Sequence, residues 1–153
     1  MQQRGFSLLE LILVITIIAL AYALLPRFVF NGVSGAELKS NARQVAAALR
    51  QARNTALNTR REAFLTLDME KREFTLTNDS RAYKLNEQVD LKLYTAEADI
   101  IDAQKGTIRF FPDGSSNGGQ VTIAAGERKY FVNVDWLTGT VSIADKPEAE
   151  KHS

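Results

Sequence analysis

The sequence contains no cysteine and a single histidine, His152, among its 153 residues. Without cysteine the chain has no disulfide framework and no thiolate zinc site. The one histidine lies in a polar C-terminal tail, so the sequence offers no histidine-based triad and no histidine-rich metal site. We therefore predict that the chain is not an enzyme and requires no cofactor or metal ion.

The chain also has no large excess of positive or negative charge, because 19 basic residues are balanced by 18 acidic ones. A balance this close gives no general reason to expect nucleic acid or an anionic lipid surface as the partner. The length suits one domain plus an anchor.

One apolar run dominates the N-terminal part of the chain. It extends from Phe6 to Leu25, and Glu10 is its one charged residue. About twenty apolar residues suffice to span a bilayer as a helix, whereas a carboxylate at the bilayer centre costs about 2.5–3.5 kcal/mol. Glu10 therefore needs a partner or a position near the membrane interface. If the bond between Gly5 and Phe6 is cut, the new α-amino group of Phe6 is a cation at the right depth to neutralise this carboxylate.

The residues around that bond form a specific pattern, with Arg4 and Gly5 before it and Phe6-Ser7-Leu8-Leu9-Glu10 after it. This pattern resembles the class III leader of type IV pilins and type II secretion pseudopilins. The resemblance implies that a prepilin peptidase cleaves after Gly5 and methylates the new N-terminal Phe6. It also implies that Glu10 serves filament assembly, by pairing with an amine in its own subunit or in a neighbour.

An ordinary secretory signal peptide is the alternative interpretation of the same segment. Arg4 would be its basic region, residues 11–20 its apolar region and residues 21–23 an A-x-A cleavage site, which would release a secreted β-rich domain. Glu10 is hard to explain in such a peptide, and the apolar run continues to Leu25. We therefore favour the pilin-type leader.

A second helix is predicted from about Ala36 to Arg60, capped by Ser34 or Gly35 and with Glu37 near its N-terminus. Its apolar positions recur at steps of three and four residues: Leu38, Ala42, Val45, Leu49, Ala52 and Ala56. The opposite face is basic, with Lys39, Arg43, Arg50, Arg53, Arg60 and Arg61. We interpret this face as solvated, with docking of acidic neighbours as a second possibility and DNA phosphates as a distant third.

From Ala63 onwards the pattern is that of short strands. Residues 63–68 and 73–77 predict a hairpin, followed by strands at 82–85, 89–94, 107–111, 121–125, 129–134 and 140–143. Residues 96–106 are predicted to form a loop, in which Glu97, Asp99 and Asp102 are solvated acids and not a cation site. Trp136 and the aromatic residues Phe110, Phe111, Tyr130 and Phe131 are expected in the core or the sheet.

These elements predict an α+β fold, in which an N-terminal membrane-anchoring helix continues into an amphipathic helix packed on antiparallel sheets. The predicted segments are a leader (1–5), a transmembrane helix (6–30), an amphipathic helix (31–60), a β-rich periplasmic head (61–145) and a disordered tail (146–153).

The C-terminal half sharpens the resemblance. Residues 108–116, Gly118-Gly119 and residues 134–139 are similar to the H-type minor pseudopilin of type II secretion, with a pilin-like fold. The resemblance implies a single-pass inner-membrane subunit, with a cytoplasmic N-terminus, near the tip of a periplasmic pseudopilus that drives folded exoproteins through the outer membrane. Its implied partners are other major and minor pseudopilins, the prepilin peptidase, the inner-membrane assembly platform and the lipid bilayer.

A minor pilin of a type IV pilus, serving assembly priming, adhesion or DNA uptake, is the competing assignment. It shares the leader, the helix and the fold. Residues 146–151 carry mixed charge rather than a basic cluster, so we expect no nucleic acid partner.

Overall fold

The computed structural model describes residues 7–24 and 32–146, and the chain divides into two compact units between residues 31 and 32. The described part of the first unit is Ser7 and the helix α1 (Leu8–Leu24), whose described side chains are exposed and, apart from Glu10 and Thr16, apolar on every side. A helix with this pattern requires apolar surroundings. Within residues 7–24 and 32–146, no helix has the length and apolarity needed to cross a membrane.

The first helix of the second unit is α2 (Gly35–Thr59), and of the two predicted capping residues, Ser34 and Gly35, Ser34 is the N-cap. The Glu37 N–H donates to Ser34 Oγ over 3.1 Å, and the Ser34 N–H donates to Glu37 Oε2 over 2.9 Å. This reciprocal capping box satisfies two backbone donors at the helix start. The helix ends at Arg60, which has a left-handed φ of 56°.

Two antiparallel sheets follow, which confirms the α+β class. The first has the strand order β3-β2-β1-β6-β5 and the second the order β4-β7-β8-β9. The strands are β1 (Ala63–Asp68), β2 (Glu73–Leu76), β3 (Asp79–Lys84), β4 (Asp90–Tyr94), β5 (Ile100–Asp102), β6 (Lys105–Phe110), β7 (Gly119–Ala125), β8 (Arg128–Val134) and β9 (Val141–Ala144).

The core lies between the alanine-rich face of α2 and both sheets, because the helix contacts β1 and β6 of the first sheet and β7, β8 and β9 of the second. The predicted apolar stripe of α2 is fully or almost fully buried, as expected. Its small side chains allow close approach to the sheets. The largest fully buried side chains are Phe74, Phe110, Leu38, Leu49, Leu65, Leu67, Ile108 and Ile123.

The prediction of a loop over residues 96–106 was wrong. A short 3-10 helix covers Glu97–Asp99, β5 follows at Ile100–Asp102, and β6 already begins at Lys105. Strand β5 is three residues long and exposed at every position, so it shows no alternation that could reveal it in the sequence. It exists because it pairs with the edge of β6, with Ile100 opposite Gly106.

The prediction that Trp136 lies in the core or the sheet was also wrong. Its side chain is 66% exposed, whereas Phe110 is fully buried and Phe131 is almost so. Phe111 and Tyr130 are half-buried. Trp136 lies in the turn between β8 and β9, where Asp135 Oδ1 accepts hydrogen bonds from the N–H groups of Leu137 and Thr138. This turn directs the indole away from the core.

Candidate functional site

The start of α1 holds the described part of the predicted assembly site. Ser7 directly precedes the helix, and its carbonyl oxygen accepts hydrogen bonds from the N–H groups of Glu10 (3.0 Å) and Leu11 (3.2 Å). The Glu10 N–H also lies 3.4 Å from Ser7 Oγ. Ser7 therefore occupies the capping position, and the Glu10 carboxylate lies in the first turn, where a negative charge complements the helix dipole.

The Glu10 carboxylate is exposed and accepts no hydrogen bond or ion pair from any residue that the structure describes. The predicted cleavage residues Gly5 and Phe6, including the methylated position Phe6, lie outside the described residues. The structure thus brings Ser7 and Glu10 together, and within residues 7–24 the Glu10 carboxylate accepts no hydrogen bond.

The basic face of α2 is not uniformly solvated. The guanidinium of Arg53 donates to the carbonyl oxygens of Gly114 (3.1 Å) and Thr138 (3.0 Å). Arg50 donates to the carbonyl oxygen of Val141 over 3.0 Å. Arg53 therefore holds the helix to the loop after β6 and to the β8–β9 turn, and Arg50 holds it to the start of β9. The other basic residues of the face, Lys39, Arg43, Arg60 and Arg61, are exposed and have no acidic partner within residues 32–146.

Gly139 makes the contact at Arg53 possible. Its φ is +64°, and a Cβ atom there would clash with the Gly114 carbonyl oxygen and lie 2.9 Å from Arg53 Nε. Glycine is needed both for the backbone angle and for the space. The glycine in the motif of residues 134–139 thus has a structural explanation: the β8–β9 turn and the loop after β6 approach each other closely beside Arg53.

Asp99 is the centre of a second cluster and is almost fully buried. Its Oδ1 accepts hydrogen bonds from Arg109 Nη2 (2.9 Å) and Thr107 Oγ1 (3.1 Å), and its Oδ2 accepts one from Asn117 Nδ2 (2.8 Å). Arg109 also pairs with Glu62 over 2.8 Å. Asp99 therefore joins the segment before β5 to β6 and to the loop that precedes β7.

Burial by itself would raise the pKa of Asp99, but the hydrogen bonds from Arg109, Asn117 and Thr107 outweigh it and hold that pKa below its usual value. The prediction that Asp99 is a solvated acid was wrong, and no local pattern could have revealed it. Glu97 and Asp102 are exposed. In residues 7–24 and 32–146, no group of three or more acidic, histidine or cysteine side chains is placed to hold a metal ion.

Two protein families match the chain. The family described as Type II transport protein GspH matches residues 41–139, and the prokaryotic N-terminal methylation motif matches residues 1–24. The first match covers most of the second unit. The second covers the predicted leader, Glu10 and α1.

Individual similar proteins agree with the family match. The type II secretion system protein H of Xanthomonas campestris pv. campestris is 32% identical over 140 residues, which are 92% of this chain and 82% of that protein. The minor pseudopilin EpsH of Vibrio cholerae has a similar structure, with a TM-score of 0.57 and 14% identity over 75% of this chain and 98% of the other.

The type IV minor pilin FimU of Pseudomonas aeruginosa is about as similar in structure, with a TM-score of 0.55 and 14% identity over 73% of this chain and 90% of the other. At these identities the structural likeness shows the fold alone, so it does not separate a pseudopilin from a pilin. The family match and the 32% identical relative separate the two, because both are type II secretion proteins. The chain belongs to the GspH family of type II transport proteins, the H-type pseudopilins of type II secretion.

Proposed function

We propose that this protein is a minor subunit near the tip of a periplasmic pseudopilus, and that its assembly helps to move folded exoproteins through the outer membrane. The observation that carries this proposal is the match of the second unit to the type II transport family. The family implies contact with other pseudopilins. The assembly platform in the inner membrane and the prepilin peptidase are the further partners that we propose.

The proposed topology is a single pass through the inner membrane, with the N-terminus in the cytoplasm and residues 61–145 in the periplasm. Residues 1–5 are the leader, residues 6–30 cross the bilayer, and residues 31–60 are the segment that contains the amphipathic helix α2 (Gly35–Thr59). The all-round apolar surface of α1 and the match of residues 1–24 to the methylation motif support this arrangement.

Maturation, in this proposal, consists of cleavage after Gly5 and methylation of Phe6. Cleavage creates an α-amino group close to a carboxylate that has no partner among the described residues. An unpaired carboxylate is costly in an apolar environment and is stabilised by a cation at hydrogen-bonding distance. We propose that Glu10 pairs with a Phe6 amine when the subunit joins the filament.

A type IV minor pilin shares the fold but is not favoured, because the family match and the 32% identical relative both belong to type II secretion. The test is a deletion in the host, complemented by the full chain. We expect secreted enzymes to accumulate in the periplasm while surface pili and DNA uptake stay normal. Loss of pili with normal secretion would contradict the proposal and establish the pilus alternative.

A further inference from the structure

The outer face of the second sheet carries an open groove of about 740 Å³ that no part of the proposed function uses. It lies over the ends of β4, β7, β8 and β9. Its most exposed walls are Tyr94, at 78% exposed, and Trp136, at 66%. Large exposed aromatic side chains that face one concavity are typical of a binding site rather than of ordinary surface.

The floor of the groove is a row of polar side chains in register across all four strands. Tyr94 is opposite Gln120, Gln120 is opposite Asn133, and Asn133 is opposite Ser142. Three inter-strand spacings make this row roughly 14 Å long. Gln120 Nε2 donates to Asn133 Oδ1 over 2.7 Å, which fixes the orientation of the amide, and Gln120 Oε1 accepts no hydrogen bond from residues 32–146.

Two glycines allow the backbone to approach both aromatic residues closely. Gly118 has a φ of +75°, and a Cβ there would lie 3.1 Å from the Cβ of Trp136. A Cβ on Gly119 would lie 2.8 Å from the Tyr94 carbonyl oxygen. Any larger residue at these positions would therefore displace a wall of the groove.

The lining of the groove is almost uncharged. Asp135 is the one charged residue among those that line it, and its Oδ1 already accepts three hydrogen bonds from Leu137 and Thr138. In residues 32–146, the hydroxyl groups of Tyr94 and Ser142 form no hydrogen bond. The groove therefore offers hydroxyl and amide groups between two aromatic side chains, and the Asp135 carboxylate is the single charged group of its lining.

We propose that this groove binds a neutral oligosaccharide. Sugar rings present apolar C–H faces that stack on the rings of Trp136 and Tyr94, and hydroxyl groups that pair with Gln120 Oε1 and Ser142 Oγ. A peptide that extends a sheet pairs along an edge strand, whereas this row runs across the strands. The lining also has few aliphatic side chains, Ala96 and Val134, and no arginine or methionine, which protein interfaces favour.

Trp136 is the single tryptophan of the chain, so its fluorescence reports directly on the groove. The full chain is purified in lauryldimethylamine oxide, a detergent without a sugar headgroup. It is titrated separately with cellotetraose, chitotetraose and maltotetraose. We expect at least one of them to give a saturable change in emission, with half-saturation below ~1 mM.

The variants Tyr94→Ala and Gln120→Ala keep the tryptophan, and each is expected to weaken binding at least about tenfold. Leu137→Ala is the matched control, because Leu137 is exposed beside Trp136 but does not line the groove. No saturable change with any of the three saccharides would overturn the proposal. So would an equal loss of binding in the control, or a change produced only by the purified head of a second pseudopilin.

Discussion

The two helices of this protein begin with the same four-residue pattern, Ser-x-x-Glu, and use it differently. At the start of α2, Ser34 and Glu37 satisfy each other's backbone N–H groups at 3.1 and 2.9 Å. At the start of α1, the Ser7 half of the pattern is present, but the Glu10 carboxylate accepts no hydrogen bond within the described residues. Glu37 thus completes the cap of its own helix, whereas Glu10 has no hydrogen-bond donor to its carboxylate among the residues that the structure describes.

The same contrast holds for the charged groups of each unit. In the second unit, Asp68 pairs with Lys105, Asp79 with Arg81, and Asp99 with Arg109. In the described part of the first unit, Glu10 has neither an ion pair nor a compensating cation. Changes in the second unit are therefore expected to act on its own stability, whereas a change at Glu10 is expected to act on association.

The largest effect is expected from Glu10→Ala. The variant should insert into the membrane normally and co-purify with the major pseudopilin at least about tenfold less, because its amine partner would be left unpaired in apolar surroundings. Glu10→Gln should behave in the same way if charge is the cause. The matched control is Glu37→Ala, and normal co-assembly of Glu10→Ala would contradict the pairing account.

A smaller but still large effect is expected from Gly139→Ala, this time on stability. The left-handed φ costs roughly 1–2 kcal/mol for alanine, and the clash with the Gly114 carbonyl adds about 1–3 kcal/mol. Guanidinium denaturation of the full chain, monitored by circular dichroism, measures the total loss in the free energy of unfolding.

The control for that change is Gly126→Ala. Gly126 has a similar φ of +60° but no neighbour within 4 Å of an added Cβ, so the variant should show the backbone cost alone. If both variants lost the same free energy of unfolding, the close approach of Gly139 to the Gly114 carbonyl oxygen would contribute nothing to stability.

An intermediate effect is expected from Asp99→Asn, which should lower the free energy of unfolding at pH 7 by about 1.5–3 kcal/mol, the usual value of hydrogen bonds to a charged group. The pKa of Asp99 is lowered in the folded state, so its stabilisation is complete above the unfolded pKa of about 3.9. It is lost as the pH falls through the folded pKa. The gap between wild type and variant should therefore close in acid, and a gap independent of pH would contradict this account.

The smallest effect is expected at the two serines. Ser34→Ala should destabilise the second unit by about 1 kcal/mol through loss of the N-cap, and Ser7→Ala should leave the unfolding of that unit unchanged. The same denaturation experiment measures both. A loss at Ser7 as large as that at Ser34 would remove the distinction between the two helix starts.

The features that could be predicted from the sequence are those that depend on a local pattern of residues. The cap at Ser34, the buried stripe of α2 and the hairpin of β1 and β2 follow from capping chemistry and from periods of 3.6 and 2, and the structure confirms them. The segment boundaries 1–5, 6–30, 31–60, 61–145 and 146–153 stay predictions.

What the sequence did not predict depends on partners distant in the chain. Strand β5 exists because β6 offers an edge. The acceptors of Arg53 are backbone carbonyl groups 61 and 85 residues away. Every residue has such a group, so the residue types do not indicate which ones accept. Trp136 was assigned to the core or the sheet by residue type, although a turn hydrogen-bonded to Asp135 holds it at the surface.

The central claim is that the carboxylate of Glu10 meets an amine created by cleavage. The most direct test is the intact mass and N-terminal sequence of the protein purified from the membranes of its own host. The account predicts a chain that begins at Phe6 and carries one added methyl group. A soluble protein that begins near residue 24 would indicate an ordinary signal peptide and would contradict both the pairing and the anchored filament subunit.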